Sequence, residues 1–232
     1  MELILSGISK SYQRGNFLFP QKRKILCDIS MSASCGDCIG ILGANGSGKS
    51  TLLSILAGVK SPDSGTFLYN NTNLFTKNNI SSLVAYVPQQ NPLVEELNAY
   101  DNLLLWYSKE QIKSELENGV LKLLDISSFL HTPVSKMSGG MQKRLSIACA
   151  VAKKPKILLL DEPSAALDLI CKEKIYSYFK DFTKNGGIII IITHEIQELE
   201  LCSKLFILRN GVLIPYTYNG NSQELARELS KS

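Results

Sequence analysis

A glycine-rich segment, "GANGSGKS" at residues 43–50, carries the residue types that bind a polyphosphate. It fits the pattern G-x-x-x-x-G-K-[ST] at every fixed position. Backbone N–H groups of such a loop can surround a β-phosphate, while Lys49 supplies a positive charge and the Ser50 hydroxyl can ligate Mg²⁺. We predict that nucleotide phosphates contact a set of residues from this segment and its border: Gly43, Asn45, Gly46, Ser47, Gly48, Lys49, Ser50 and Thr51.

A pair of carboxylates supplies the other half of this chemistry. "ILLLDEP" at residues 157–163 is an apolar run that ends in Asp161 and Glu162. Open α/β sheets bind ligands at the carboxyl ends of their strands, so we expect both acids to face the phosphate loop. Asp161 is the predicted Mg²⁺ partner, acting through water, and Glu162 the predicted general base for a water that attacks the γ-phosphate. Alone, such a pair is often a solvated strand end; with the upstream loop it indicates a two-part nucleotide site.

The elements that must position these residues can be predicted from the pattern of apolar residues. Strands are predicted at "ELILSGISKSY", "ILCDISMSA", "CIGILG", residues 66–69, residues 84–87, "KILLLDE" and "GIIIIITH". We predict a polar, basic loop at residues 13–24, helices beginning at Lys49, about Asp168 and Glu195, and a hairpin turn at residues 210–211. Residues 91–153 are predicted to be a largely helical insertion, in which residues 99–126 are the clearest amphipathic stretch. Short apolar strands that alternate with helices predict an α/β fold with a parallel sheet covered on both faces.

Composition excludes several other classes of protein. The chain has 232 residues, 44% hydrophobic and 20% charged, with a net charge of +4, values typical of a globular protein and too weakly basic to indicate nucleic-acid binding. No apolar run reaches the roughly 18 residues that span a bilayer, and the N-terminus lacks the pattern of a signal peptide. We therefore expect a cytoplasmic protein whose six cysteines are free thiols.

Six motifs in this order resemble the ATP-binding cassette (ABC) ATPases: "GANGSGKST", "YVPQ", "MSGGMQKRL", "ILLLDEP", "SAALD" and "ITHE". The resemblance implies a P-loop NTPase fold of the ABC type, with a parallel core sheet, an N-terminal antiparallel β subdomain and a helical subdomain inserted at about residues 91–153. It implies one such domain over residues 1–232, with ATP and Mg²⁺ as cofactors.

The resemblance also implies roles for single residues. Tyr12 matches the aromatic that stacks on adenine, Gln89 the glutamine that senses Mg²⁺ and the attacking water, and His194 the histidine that contacts the γ-phosphate. From the residues alone, Tyr12 would more simply be a packing residue and His194 a surface residue, although "THE" after an apolar strand favours the γ-phosphate role. Asp168 is predicted to cap the following helix, and the resemblance adds a contact with a second cassette.

"MSGGMQKR" at residues 137–144 is a second device for binding an anion. In the ABC ATPases, the matching segment caps the γ-phosphate of ATP held by the opposite subunit. The resemblance therefore implies that Ser138, Gly139 and Gly140 act in a homodimer or heterodimer of cassettes. Two positions depart from the family pattern, with methionine at Met137 for leucine and at Met141 for glutamine.

At the level of function, the resemblance implies the ATP-hydrolysing subunit of an ABC transporter. Its partner would be a separate integral membrane permease at the inner face of the cell membrane, docking near Gln89, and no nucleic acid is expected. The alternatives are a soluble cassette acting in nucleic-acid, ribosome or cluster-assembly processes, and an inactive regulatory cassette, which Lys49, Glu162 and His194 disfavour. Export is favoured over import because few residues follow the predicted hairpin and the helical region is rich in "NLLLWY".

Overall fold

A computed structural model describes residues 1–14, 21–165 and 167–231. The strands are β1 (Glu2–Arg14), β2 (Gln21–Ser34), β3 (Cys38–Leu42), β4 (Ser64–Tyr69), β5 (Thr72–Asn73), β6 (Val84–Val87), β7 (Ile157–Asp161), β8 (Ile188–Ile192), β9 (Lys204–Arg209) and β10 (Val212–Tyr216). The helices are α1 (Lys49–Leu56), α2 (Lys77–Leu83), α3 (Ala99–Leu104), α4 (Lys109–Asn118), α5 (Val120–Leu123), α6 (Gly139–Ala150), α7 (Leu169–Lys184), α8 (Ile196–Leu199) and α9 (Ser222–Ser230). Short 3₁₀ helices lie at Ile126–Phe129 and Val134–Lys136.

A six-stranded sheet in the order β10-β9-β3-β8-β7-β6 forms the centre of the molecule. Its strands from β9 to β6 are parallel to one another, and β10 pairs antiparallel with β9 at the edge. Every residue of β3, β7 and β8 is buried, because helices or a second sheet cover both faces. These strands confirm the predicted parallel core sheet.

Successive residues of β7 serve two different hydrophobic cores. Leu159 faces a core that it shares with α1 and the antiparallel sheet, whereas Leu160 faces a core built with α3, α6 and α7. Side chains alternate between the two faces of a strand. The all-apolar sequence of β7 is therefore explained by burial on both sides.

The second sheet is antiparallel, in the order β2-β1-β4-β5. The loop predicted at residues 13–24 is wrong at both ends, because Tyr12 pairs with Arg23 and Gln13 with Lys22 in the β1–β2 ladder. A strand whose side chains face water can be wholly polar, so polarity alone did not distinguish this hairpin from a loop. Residues 15–20 of the predicted loop lie outside the described residues.

Residues 99–126 are largely helical, as predicted, and are divided among α3, α4 and α5. Ser108 begins α4 with a capping box: its hydroxyl accepts from the Gln111 amide N–H at 3.2 Å, and its own N–H donates to Gln111 Oε1 at 2.7 Å. Gly119 separates α4 from α5. The helix predicted from Glu195 is the four-residue α8. All six cysteines are free thiols, as predicted.

Candidate functional site

The phosphate loop connects β3 to α1 and depends on glycine at two positions. Gly48 precedes α1 with φ 108°, and a Cβ at this position would lie 2.9 Å from Ile25 Cγ2. Gly43 has φ 152°, and its Cβ would lie 2.6 Å from the Leu208 carbonyl oxygen. A side chain at either position would displace the loop. Glycine therefore permits the loop conformation in which the backbone amides can lie close to a bound phosphate.

Lys49 lies at the start of α1 and is only 7% exposed. Its ammonium group donates to the Gly43 carbonyl at 2.6 Å and to the Ala44 carbonyl at 3.1 Å. Burial lowers the pKa of Lys49, and the nearby charges of Glu162 and Asp161 oppose that shift. Since an ammonium has three donors, this geometry leaves one for a phosphate oxygen.

Asp161 and Glu162 lie at the carboxyl end of β7, as the sequence indicates. Asp161 is 3% exposed; burial raises its pKa, while the Ser50 hydroxyl and the Lys49 charge act in the opposite direction. Glu162 adopts a left-handed backbone conformation with φ 48°, and its N–H donates to the Ile192 carbonyl at 2.9 Å. This turn carries the Glu162 side chain away from the strand direction.

Gln89, in the loop after β6, contacts Glu162. Its Nε2 donates to Glu162 Oε2 at 2.9 Å, which leaves the amide oxygen for another partner. The Ser50 hydroxyl, the Asp161 carboxylate and this amide oxygen are hard oxygen donors of the kind that Mg²⁺ prefers. A cation would also stabilise the buried Asp161 carboxylate, so these residues fit an Mg²⁺ ion.

One cavity of about 450 Å³ brings most of these groups together. Apart from Ile25, its lining consists of residues predicted from the sequence: Tyr12, Asn45, Gly46, Gly48, Lys49, Ser50, Thr51, Gln89 and Glu162. The Tyr12 ring lies at its rim with the Lys10 and Lys60 ammonium groups 5.7 Å and 5.5 Å from the ring centroid. Ser47 lines a different cavity on the far side of the loop.

His194 follows β8 and lines a second, smaller cavity of about 60 Å³ together with Glu162, Thr193 and Glu198. Partial burial and the Lys49 charge lower the pKa of His194, and the Glu162 charge opposes them. Glu198 is 1% exposed, and neither of its carboxylate oxygens has a hydrogen-bond partner among the described residues. The cavity is large enough for water, which could satisfy these oxygens.

The segment Ser138, Gly139 and Gly140 lines none of the three cavities described above. Ser138 caps α6, its hydroxyl accepting from the Met141 N–H at 3.3 Å. Asp168 caps α7 as predicted, accepting from the Cys171 N–H at 2.8 Å. The segment at residues 138–140 is therefore separate from the cavity that the loop at residues 43–50 lines.

Comparison with known proteins assigns the family. Residues 26–165 match the family model described as "ABC transporter". The chain belongs to the ABC transporter family. It is 32% identical over 213 residues to Nod factor export ATP-binding protein I of Sinorhizobium fredii, covering 89% of this chain and 60% of that protein. It is 31% identical over 232 residues to a probable sulfate/thiosulfate import ATP-binding protein CysA of Chlorella vulgaris, covering 97% of this chain and 94% of that protein.

A solved ABC cassette has the same fold. A dimeric ATP-binding cassette in a post-hydrolysis state, bound to ADP and Pi, superposes with a TM-score of 0.81 at 26% identity, covering 94% of this chain and all of that one. The ABC-type P-loop fold inferred from the motifs is thus confirmed. Within the described parts of this ABC family member, no helix has the length and apolar character needed to cross a bilayer.

Two buried charged residues close to the site of this ABC protein were not predicted from the sequence, Lys143 and Glu198. Lys143 is 5% exposed on α6; burial lowers its pKa, and the Asp161 and Glu162 charges oppose that shift. Glu198 lies on α8, and burial raises its pKa. A lysine or glutamate in a short helix more often faces water, so the sequence holds no local signal for either.

Proposed function

We propose that this chain binds ATP with Mg²⁺ and hydrolyses it to drive a transporter, working as one of two paired cassettes. The observation that carries this proposal is the convergence of Lys49, Gln89 and Glu162 on one cavity, with Gln89 hydrogen-bonded to Glu162. Family membership supports it, as do relatives named as ATP-binding proteins of export and import systems. Because these relatives include both directions of transport, the proposal does not specify one.

In the proposed reaction, the loop amides and Lys49 bind the β- and γ-phosphates, and Tyr12 stacks on the adenine ring. Ser50, Asp161 and Gln89 would hold Mg²⁺, which when bound neutralises phosphate charge. Glu162 accepts the proton of the attacking water, and its hydrogen bond from Gln89 fixes which oxygen faces that water. His194, whose lowered pKa favours the neutral ring, contacts the γ-phosphate through a ring nitrogen.

The second cassette would complete each site. We propose that Ser138, Gly139 and Gly140 approach the γ-phosphate bound to the partner cassette, with Asp168 at the same interface. Two features support this: the segment lies outside its own phosphate cavity, and Gly139 has no atom within 3.9 Å of the place where a Cβ would stand. A phosphate can therefore come close to the backbone at the start of α6.

A membrane-spanning protein would be the third component. We propose that residues 91–153 form the helical subdomain that receives it, which would bring the chain to the cytoplasmic face of the membrane. Exposed apolar side chains at Val94, Leu105 and Trp106 support this proposal. Replacing Leu105 and Trp106 by serine should prevent copurification with a coexpressed permease and leave the ATP turnover of the isolated chain unchanged; undiminished copurification would contradict it.

Two substitutions test the ATPase proposal directly. Lys49→Ala should abolish ATP binding or turnover, because the phosphates lose their buried cation. Glu162→Gln should keep ATP affinity but lower turnover by about 100-fold or more, the range of a lost general base, and should accumulate an ATP-dependent dimer on size-exclusion chromatography. Glu200→Gln alters an exposed glutamate outside the cavities and is the matched control. Normal turnover in Glu162→Gln would contradict the assignment of the base.

A further inference from the structure

Lys143 is a buried cation that connects α6 to the loop holding Gln89. Its ammonium group donates to the Pro88 carbonyl at 3.1 Å and to the Gln89 carbonyl at 3.0 Å. Both acceptors are 54 or more positions away in the sequence. The two bonds therefore join a helix to a loop at the nucleotide site and contribute nothing to the internal hydrogen bonding of α6.

An apolar side chain would be sufficient if this position only filled space. Burying an ammonium carries a large desolvation cost unless hydrogen bonds and opposite charges offset it. Here two loop carbonyls supply the hydrogen bonds, and the charges of Asp161 and Glu162 favour the cation. The neighbouring Arg144 is also buried, but it donates to the Leu124 carbonyl at 2.8 Å, away from the nucleotide site. Of the two buried cations on α6, Lys143 contacts the nucleotide site and Arg144 does not.

The contact continues from the Gln89 backbone to Glu162. Lys143 holds the Gln89 carbonyl, and the Gln89 side chain donates to Glu162 Oε2 at 2.9 Å. We propose that Lys143 is a positioning residue that fixes the Gln89 loop against α6, so that Gln89 holds Glu162 in its reactive orientation. This inference rests on the proposed ATPase function, in which Ser138 at the start of the same helix contacts ATP on the partner cassette. Through Lys143, engagement of that partner would orient the base of the chain's own site.

Backbone order parameters from NMR relaxation of the nucleotide-free protein test the structural part of the proposal. In Lys143→Met, which keeps the length but removes the donors, the order parameters of residues 89–91 should fall below about 0.6, the range of a flexible backbone, because the loop carbonyls lose their partner. Those of β6 and β7 should be unchanged. Lys143→Arg keeps the charge and the donors and should keep the order parameters of residues 89–91 close to those of the wild type. Arg144→Lys is the matched control on the same helix and should leave residues 89–91 unchanged.

A double-mutant cycle tests the functional part. Lys143→Met should lower kcat about ten-fold, since a small displacement of a positioned group is costly, with KM for ATP changed less than about two-fold. In a Gln89→Ala background the same substitution should lower kcat by less than about two-fold, because the residue through which it acts is already gone. A purely structural role would lower the melting temperature and reduce kcat equally in both backgrounds.

Two results would overturn the role of Lys143: unchanged order parameters at residues 89–91 in Lys143→Met, or the same ten-fold reduction of kcat by Lys143→Met in the Gln89→Ala background. If Lys143→Met does not fold, Lys143→Gln, which retains an amide donor, replaces it in both measurements. Failure of the wild-type chain to hydrolyse ATP would refute the proposed function, and the NMR experiment would then decide the role of Lys143 alone.

Discussion

At the scale of single residues, Glu162 shows how the backbone aims a side chain. Its φ of 48° is rare for a residue with a Cβ and costs on the order of 1–3 kcal/mol. The hydrogen bond from its N–H to Ile192 and the hydrogen bond from Gln89 to its carboxylate maintain this conformation. Strain of this kind often accompanies function, and here it occurs at the proposed general base.

Replacing each of the adjacent glycines at residues 139 and 140 by alanine should change the free energy of unfolding by different amounts. A Cβ on Gly140 would lie 2.5 Å from Cys171 Sγ and 3.1 Å from Cys171 Cβ, whereas the nearest atom to a Cβ on Gly139 is Leu167 Cδ2 at 4.0 Å. We expect Gly140→Ala to lower the free energy of unfolding by about 1–2 kcal/mol through overpacking. Gly139→Ala should change it by less than about 0.5 kcal/mol. Urea denaturation of both variants measures the difference, and equal effects would contradict it.

Residues within one local motif could be predicted from the sequence, and residues defined by tertiary contact could not. The phosphate loop is one continuous segment, so its sequence pattern alone identifies Lys49 and Ser50. Both residues line the phosphate cavity. Lys143 gains its surroundings only when α6 packs beside the loop after β6, more than 50 residues away in sequence. No periodicity or spacing reveals such a contact.

At the scale of elements, the site lies at the carboxyl ends of three parallel strands of the central sheet. β3 leads to the phosphate loop, β7 ends at Asp161, and β8 leads to His194; in the sheet they are adjacent, in the order β3-β8-β7. Their apolar sequences made this arrangement predictable, because buried parallel strands expose only their ends. The boundaries among α3, α4 and α5 were not predicted, although Ser108 and Gln111 form a capping signature that is visible in the sequence.

The buried carboxyl on α8 should make stability depend on pH. Burial raises the pKa of Glu198 above its usual 4.5; the charge of Glu195 acts in the same direction, and the charge of Lys172 opposes it. The fold thus favours the neutral carboxyl, and its contribution to stability is lost as the pH rises through that raised pKa. Glu198→Gln cannot ionise, so its melting temperature relative to wild type should be higher at pH 8 than at pH 5.

The control for this measurement is Glu200→Gln, which changes an exposed glutamate at the end of the same helix. Its melting temperature relative to wild type should be the same at both pH values. A difference for Glu198→Gln that does not vary with pH would mean that the carboxyl stays charged in the folded protein.

At the scale of the whole molecule, the central sheet joins two cores into one structure. The core on the helical side contains Leu103 and Tyr107 from the α3 region together with Leu160 from β7. The other core contains Leu159 from the same strand. Because neighbouring residues of one strand stabilise both sides, loss of either core removes support from the other.

Urea unfolding should therefore be a single cooperative transition. Trp106 is the only tryptophan in the chain and reports on the helical region, whereas far-ultraviolet circular dichroism reports on the whole fold. The two midpoints should agree within about 0.2 M. Leu160→Ala should lower the free energy of unfolding by about 2–5 kcal/mol and so lower both midpoints together. A tryptophan transition at clearly lower urea would show that the helical region unfolds separately.

The spacing between Ser138, which caps α6, and Lys143, within α6, fixes the directions in which their side chains point. Ser138 and Lys143 are five positions apart, which in an α-helix corresponds to about 140° around the axis and about 7.5 Å along it. The capping serine and the buried lysine therefore project from different sides. Inserting or deleting one residue between them would rotate one side by about 100° relative to the other. Met141 and Gln142, the two residues between the glycines and Lys143, should therefore tolerate changes of residue type far better than this stretch tolerates any change of length.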